Sequence, residues 1–303
     1  MTLALNRRHF NAALCALLVG FVPLAAQPAE PIPVTASFSI LADIVQAVGA
    51  ERVKVTALVG ADEDAHVFEP KPADAKIILR SRLVVLNGLG FEHWMQKLLK
   101  SSGYRGDTLE ASQGIQPRTM ASADGPVETD PHAWQDPSNV ILYVQNIAAA
   151  LTRLDPAGAS VYQQNAASYS AELKTLDEWA KAQINGIVPS KRKVITSHDA
   201  FGYFAAHYQL SIFAPQGVST ETEPSARDVA RLIRQIKREQ IRAVFMENMS
   251  NPKLIAQIAA DTGATLGPAL YVDALSGHDA AGATYLKLMR HNVTELVKAM
   301  QRN

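Results

Sequence analysis

The sequence predicts an α/β protein of two lobes, in which each lobe has a parallel β-sheet flanked by helices and a single long helix joins them. Short apolar runs typical of strands alternate with helical patterns, as in parallel sheets covered on both faces. One helical pattern near the middle is much longer than the others. The length of 303 residues, 48% of them hydrophobic, also favours two domains over one.

The first 26 residues are predicted to be a cleaved export signal. Arg7-Arg8-His9 precedes the apolar run 12–21, and small residues ending at Ala26 suit a cleavage site. Residues 6–10 are similar to a twin-arginine signal, although general export signals also carry arginine pairs, so both export routes stay open. The apolar run is short for a membrane span, and a retained signal anchor is the alternative.

Cleavage would remove two arginines and Cys15, the only cysteine of the chain. The exported protein would then have 27 basic and 29 acidic residues, with no disulfide and no thiol ligand. Cys15 lies inside the apolar run and not after it, which argues against a lipid attachment site. The balanced charge argues against a nucleic-acid partner. From the predicted export signal, we expect a soluble periplasmic protein.

The first half of the chain predicts a sheet with intervening helices. Strands are expected over 33–38, 53–59 and 83–86, and helices over 40–48, 74–80 and 91–99. Residues 101–130 are expected to be mostly loop with one or two short strands, because Gly, Ser, Pro and Asp are frequent there. Asp136 as N-cap and Pro137 at the first helical position then begin a helix over 137–153.

The long helical pattern begins at Asp155-Pro156 and stops near Asn185-Gly186. Its apolar positions recur in steps of three and four: Tyr162, Ala166, Tyr169, Leu173, Leu176 and Ala180. At ~1.5 Å per residue such a helix would be roughly 45 Å long. We interpret it as a rigid rod that joins two lobes, with an ordinary core helix as the alternative.

The second half repeats the alternation of strands and helices. Extended segments are expected over 193–196, 210–213, 241–246 and 265–271, and helices over 200–208, 225–239, 252–263 and 283–301. The predicted organisation is therefore a signal over 1–26, a first lobe over 27–154, a linking helix over 155–187 and a second lobe over 188–303.

His132 is the most specific candidate for binding a ligand, because two Asp-Pro pairs, Asp130-Pro131 and Asp136-Pro137, constrain the turn that carries it. Three further candidates follow predicted strands, where open α/β sheets bind their ligands: His66, His198 and Asp273. Three imidazoles and one carboxylate suit a borderline metal ion such as zinc, and suit calcium or magnesium poorly.

Each candidate also has an ordinary structural explanation. A single histidine in a loop is usually a surface residue, and Asp273 alone could be a helix cap or a turn residue. We interpret the other histidines as such ordinary residues: His93, His207, His278 and His291. The combination of four candidates from both halves of the chain is what indicates a metal site.

The motifs around these candidates resemble the bacterial cluster A-I solute-binding proteins, which deliver zinc or manganese to ABC importers. The motifs run from Asp64 to Pro70, Asn87 to Glu92, Asp130 to Asn139, Thr196 to Tyr203, Ser219 to Ser225 and Tyr271 to Leu275. They cover nearly the whole exported chain in the family's order. The resemblance implies two α/β lobes joined by one long helix, with the metal in the cleft between them.

The resemblance also implies the ligands, which match one by one: His66, His132, His198 and Asp273. It implies a periplasmic protein that captures Zn²⁺ with high affinity and passes it to the membrane permease of an ABC importer. Manganese is the alternative cargo. We expect a monomer, and a periplasmic metallochaperone is a further candidate partner.

Three departures from the family pattern bear on the metal. Ala65 stands where proline is common, which is a minor change in the loop. Residues 101–130 contain no histidine, whereas many zinc-specific members carry a histidine-rich loop in the first lobe. His198 stands where manganese-directed members often have glutamate, so this position favours zinc.

We predict a binding protein and not an enzyme, because four protein ligands leave no position for an activated water. The alternative is a periplasmic zinc hydrolase in which Asp273 swings away, but the chain has no His-Glu-x-x-His pair. Candidates for orienting the imidazoles are Asp199, Glu247 and Glu221. His132 is expected to be the least mobile ligand, because prolines flank it, and Asp273 the most mobile.

Overall fold

The structure is a computed structural model that describes residues 30–121 and 127–303. Residues Pro31–Asn303 form one compact unit. The predicted export signal, residues 1–26, lies outside the described residues. Among the described residues, no helix combines the length and the apolar character needed to cross a bilayer.

The first lobe contains a four-stranded parallel sheet in the order β2-β1-β3-β4. Its strands are β1 Ile32–Phe38, β2 Val53–Val59, β3 Leu83–Leu86 and β4 Asp107–Glu110. Its helices are α1 Ser39–Gly49, α2 Pro72–Arg80 and α3 Met95–Ser102. The apolar runs predicted as strands form the centre of this sheet, because β1 and β3 bury nearly all their side chains.

Two details of the first lobe differ from the prediction. Helix α3 begins at Met95 and not at Phe91, because Gly88, Leu89 and Gly90 all have positive φ and turn the chain away from helix. Residues 101–130 contain three strands where one or two were expected. Besides β4, Arg118–Ala121 (β5) and Val127–Asp130 (β6) form an antiparallel pair.

Two helices follow β6. Helix α4 spans Pro137–Leu154, and the Asp136 carboxylate accepts a hydrogen bond from the Ser138 amide as its N-cap. Helix α5 spans Ala159–Asn185, and its 27 residues give a length of about 40 Å. It buries the predicted apolar stripe and packs against α1, α4 and the last helix of the chain. The prediction of one long linking helix is confirmed.

The second lobe contains a parallel sheet in the order β10-β9-β7-β8, with shorter strands than predicted. The strands are β7 Lys193–Ile195, β8 Ser211–Phe213, β9 Ala243–Val244 and β10 Thr265–Leu266. The helices are α6 Gly202–Tyr208, α7 Ala226–Glu239, α8 Pro252–Thr262 and α9 Tyr285–Met300. Strand β10 ends before Pro268, which has no amide hydrogen for the ladder.

Both sheets have the same topology, since in each lobe the first strand lies between the second and third strands of that lobe. Adjacent strands whose connections leave in opposite directions create a crevice at their carboxyl ends, which is where such sheets bind ligands. The predicted fold class, two parallel α/β lobes joined by a long helix, is confirmed.

Candidate metal centre

His66 lies in the loop after β2, in a turn that Asp64 stabilises. The Asp64 carboxylate accepts a hydrogen bond from the His66 amide at 2.9 Å. The imidazole packs against the Phe91 ring in a T-shaped contact, with 4.8 Å between ring centroids. The Nδ1 atom has no hydrogen-bond partner in the described chain, whereas Nε2 points to the other candidate ligands.

His132 is held by Asp130, the last residue of β6. One oxygen of this buried carboxylate accepts hydrogen bonds from the His132 amide at 3.0 Å and from Nδ1 at 2.8 Å. The Nδ1 atom therefore carries the proton, and the lone pair of Nε2 points into the site. Gly202 of α6 gives Asp130 the room it needs, because a Cβ at that position would overlap the second carboxylate oxygen.

His198 is held by Glu247, which comes from the neighbouring strand connection. One oxygen of Glu247 accepts hydrogen bonds from the amides of Ser197 and His198, at 2.9 and 3.1 Å. The other oxygen lies 2.5 Å from Nδ1 of His198 and also accepts from Ser250. This contact again leaves Nε2 as the nitrogen that faces the site.

Asp273 lies in a loop that both lobes fix through its backbone. Trp134 and Gln135 each donate a side-chain hydrogen bond to the Val272 carbonyl, at 3.0 Å. Asn248 accepts from the Val272 amide and donates to the Ala274 carbonyl. The two oxygens of Asp273 are buried without a hydrogen-bond partner, which indicates a cation as their missing partner.

The four predicted ligands come together, and one donor atom from each lies within 4.8 Å of the others. His132 Nε2 lies 3.3 Å from His66 Nε2 and 3.4 Å from His198 Nε2. Asp273 Oδ2 lies 3.3 Å from His66 Nε2 and 3.2 Å from His198 Nε2. Ligands tetrahedrally arranged at zinc–nitrogen bond lengths of about 2.0–2.1 Å would be separated by about 3.3–3.4 Å. His132 Nε2 and the nearest oxygen of Asp273 are farther apart, at 3.7 Å. Four of the separations therefore match those expected around a small d-block ion.

The electrostatics of the site favour positive charge at its centre. Burial acts to raise the pKa of Asp273, but the charges of His198 and His132 hold that pKa well below its ordinary value. Burial acts to lower the pKa of His198, but the carboxylates of Glu247 and Asp273 raise it well above its ordinary value. A divalent cation can supply the positive charge that these buried carboxylates attract.

Of the three residues predicted to orient the imidazoles, only Glu247 contacts one. Asp199 forms no hydrogen bond with a ligand, and burial together with the charge of Asp130 raises its pKa to about 6. Glu221 is exposed. Asp130 was not predicted in this role, although an aspartate two residues before a candidate ligand is a usable signal for it.

The other histidines lie outside the site. His93 and His278 are exposed, as the sequence predicted. His291 contacts the Ala269 carbonyl at 2.9 Å. His207 is more than a surface residue, because its imidazole bridges two carboxylates, from Asp136 and Asp177.

The sequence and the fold are similar to those of known proteins. The family described as "Zinc-uptake complex component A periplasmic" matches residues 34–299. The manganese-binding lipoprotein MntA of Halalkalibacterium halodurans is 30% identical over 275 residues, covering 91% of this chain and 90% of that protein. The Mn-bound periplasmic metal-binding protein from Candidatus Liberibacter asiaticus is 32% identical, with a TM-score of 0.79 and coverage of 88% and 98%. The periplasmic zinc-binding protein TroA from Treponema pallidum is 25% identical, with a TM-score of 0.84 and coverage of 89% and 99%.

Proposed function

The chain belongs to the zinc-uptake complex component A family of metal-binding components of ABC importers, and from that premise we propose that it captures Zn²⁺ in the periplasm. The observation that carries this proposal is the buried convergence of three imidazole nitrogens and one carboxylate. The chain would hand the ion to the membrane permease of an importer. A monomeric state and a periplasmic metallochaperone are further parts of the proposal.

Zinc is the proposed cargo because of the donor set and its spacing. Separations of 3.2–3.4 Å between neighbouring donor atoms suit four short bonds, and His198 supplies a third nitrogen. Manganese is served better by oxygen ligands and by more of them. Manganese is nevertheless the second candidate, because MntA and the Liberibacter protein are described as binding it.

The chain's own residues would hold the ion by presenting lone pairs that are already oriented. Asp130 and Glu247 keep the protons of two imidazoles on Nδ1, so their Nε2 atoms face the ion. Four protein ligands fill a tetrahedral shell, which fits capture and not catalysis. Since each imidazole must be unprotonated at Nε2, the affinity is expected to fall as the pH decreases.

The test is a competition titration of metal-free protein with zinc and manganese against a chelator of known affinity. We expect one zinc per chain, bound more tightly than manganese. The His132→Ala variant should lose zinc affinity by more than about 100-fold. The matched variant His198→Glu, which replaces one nitrogen by oxygen, should shift the preference towards manganese.

Undiminished zinc binding by His132→Ala would contradict the proposed site. Tighter binding of manganese than of zinc by the wild-type protein would support the manganese alternative. The zinc hydrolase is tested with the same samples, since hydrolytic turnover that increases with zinc loading would favour it over the binding protein.

A further inference from the structure

Two cavities adjoin the candidate metal centre, and the segment 215–223 contributes residues to both. The first, which we name the vestibule, has a volume of about 580 Å³, and its lining includes His66, Leu89, His93, Glu128, Glu221 and Thr222. The second, which we name the side cavity, has a volume of about 310 Å³, and its lining includes Asp64, Ser197, Thr220, Glu223, Met249 and Lys253.

Only the vestibule is lined by a candidate metal ligand. His66 lines it and has 2% of its surface exposed, whereas the other three ligands are fully buried. The Nδ1 atom of His66 has no hydrogen-bond partner in the described chain, unlike the Nδ1 atoms of His132 and His198. The ring that separates the vestibule from the site is therefore also the ligand imidazole that no hydrogen bond at Nδ1 holds in place.

The two cavities differ in the charged side chains that line them, and these charges decide how strongly each cavity attracts a cation. The vestibule is lined by one imidazole and two carboxylates near its surface, from His93, Glu128 and Glu221, and by no lysine or arginine among the residues described. These three side chains form no hydrogen bond or ion pair with any other residue that the structure describes. The side cavity, by contrast, is lined by Lys253 as well as by the acidic residues Asp64 and Glu223.

The boundary between the side cavity and the site is also closed by a contact between the lobes. The Thr220 hydroxyl donates to Asp64 Oδ2 at 2.7 Å, and the other oxygen of Asp64 holds the His66 amide. The Asp64 carboxylate is thus already paired. In the vestibule, by contrast, the carboxylates have no such partner and are exposed to solvent.

We propose that the vestibule is the route by which the divalent cation reaches and leaves the site, with His93, Glu128 and Glu221 as a transient capture site for the hydrated ion. This inference rests on the proposed function. Imidazole and carboxylate groups attract a hydrated d-block cation, and the His66 ring, whose Nδ1 atom no other group holds, would move to admit it. The side cavity is not part of this route.

The test is stopped-flow mixing of zinc with metal-free full-length protein at low ionic strength. Glu128→Gln and Glu221→Gln should each slow association about two- to five-fold, and the double variant about ten-fold. The matched control is Glu223→Gln, which removes the same charge two residues away but lines the side cavity, and should leave the rate unchanged. High salt should reduce the differences, since it screens exposed charges.

A pair of bulky substitutions tests the route without changing charge. Thr222→Trp in the vestibule should slow both zinc association and chelator-driven release, whereas Met249→Trp in the side cavity should not. Circular dichroism on each variant confirms that it is folded before its rates are compared.

Two results would contradict the vestibule as the route of the ion and would leave the proposed function intact. They are unchanged association rates in the vestibule variants, or equal slowing by Glu223→Gln and Glu221→Gln. Wild-type protein that binds neither zinc nor manganese in the equilibrium titration would overturn the proposed function, and the vestibule with it. The equilibrium and kinetic experiments therefore separate the two failures.

Discussion

The two lobes supply two candidate ligands each, but they hold them by different means. In the first lobe, β1 and β2 are seven residues long and pair along nearly their whole length, so the loops at their ends start from a fixed backbone. In the second lobe, β9 and β10 are only two residues long. Both lobes also use hydrogen bonds between side chains and the backbone, and with such short strands the second lobe depends on them more, as on those that Glu247 accepts from the amides of Ser197 and His198.

The same contrast appears in how the two imidazoles are oriented. His132 is held by Asp130, two residues before it, whereas His198 is held by Glu247, forty-nine residues after it. Glu247 also accepts hydrogen bonds from two backbone amides and from Ser250. The second-lobe half of the site thus depends on one side chain more heavily than the first-lobe half does.

The largest effect is expected from Phe91→Ala, which removes the aromatic support of the first-lobe half. Phe91 is fully buried against Phe38 and Trp134 and packs on the rings of His66 and His132. Removing so large a buried ring should lower the free energy of unfolding by about 3–5 kcal/mol, measured by urea unfolding of metal-free protein.

The control in the second lobe is Phe213→Ala on β8. Because this ring is only partly buried, its removal should lower the free energy of unfolding by less. Equal losses from the two substitutions would contradict the view that the first-lobe frame is the more firmly packed.

The next largest effect is expected from removing either of the carboxylates that orient the imidazoles, Glu247 or Asp130. Glu247→Ala and Asp130→Ala should each weaken zinc binding by about 10–100-fold, because each frees an imidazole to rotate. Glu247→Ala should in addition destabilise the metal-free protein by about 1–3 kcal/mol, since it leaves the buried amides of Ser197 and His198 without acceptors. Competition titration and urea unfolding measure the two quantities.

Asp199→Asn is the matched control, because Asp199 adjoins His198 in the chain but forms no hydrogen bond with a ligand. It should leave zinc affinity nearly unchanged. A loss as large as that of Glu247→Ala would show that negative charge near the site matters more than orientation.

The smallest effect concerns His207, whose Nδ1 lies 3.1 Å from Asp136 and whose Nε2 lies 2.7 Å from Asp177. These contacts join α6 of the second lobe to the N-cap of α4 and to the long helix α5. Tyr208 and Lys181 also contact Asp177. The hydrogen bond to Asp136 raises the pKa of His207, burial opposes this, and Asp177 adds to the increase.

Because the pKa of His207 is higher in the folded than in the unfolded chain, its contribution to stability is complete below pH of about 6.5 and disappears as the pH rises through the folded value. Against His207→Gln, wild-type protein should be more stable by up to about 1 kcal/mol at pH 6, with the gap closing at alkaline pH. Thermal unfolding of both proteins from pH 5.5 to 9 measures the gap, and a gap that is constant with pH would contradict the bridge.

The helices and strands were predictable from the sequence where a local pattern decides them. The stripe of Tyr162, Leu173 and Leu176 predicted α5, and the Asp136-Pro137 pair predicted the start of α4. The prediction was wrong at the start of α3, where left-handed residues before Phe91 override helical periodicity, and the extended segment 265–271 pairs as a strand only over β10, before Pro268. The order of ligand mobility, with His132 lowest and Asp273 highest, stays a prediction.

The sequence by itself determined which side chains are chemically able to bind a metal, and it placed His132 on a constrained turn through its two Asp-Pro neighbours. Those features depend on dihedral restriction and short-range spacing, which act within a few residues. Only the tertiary structure decided that Glu247, and not Asp199 or Glu221, orients His198. The reason is the strand order, because β9 lies beside β7 and brings the residues that follow both strands to the same edge of the sheet.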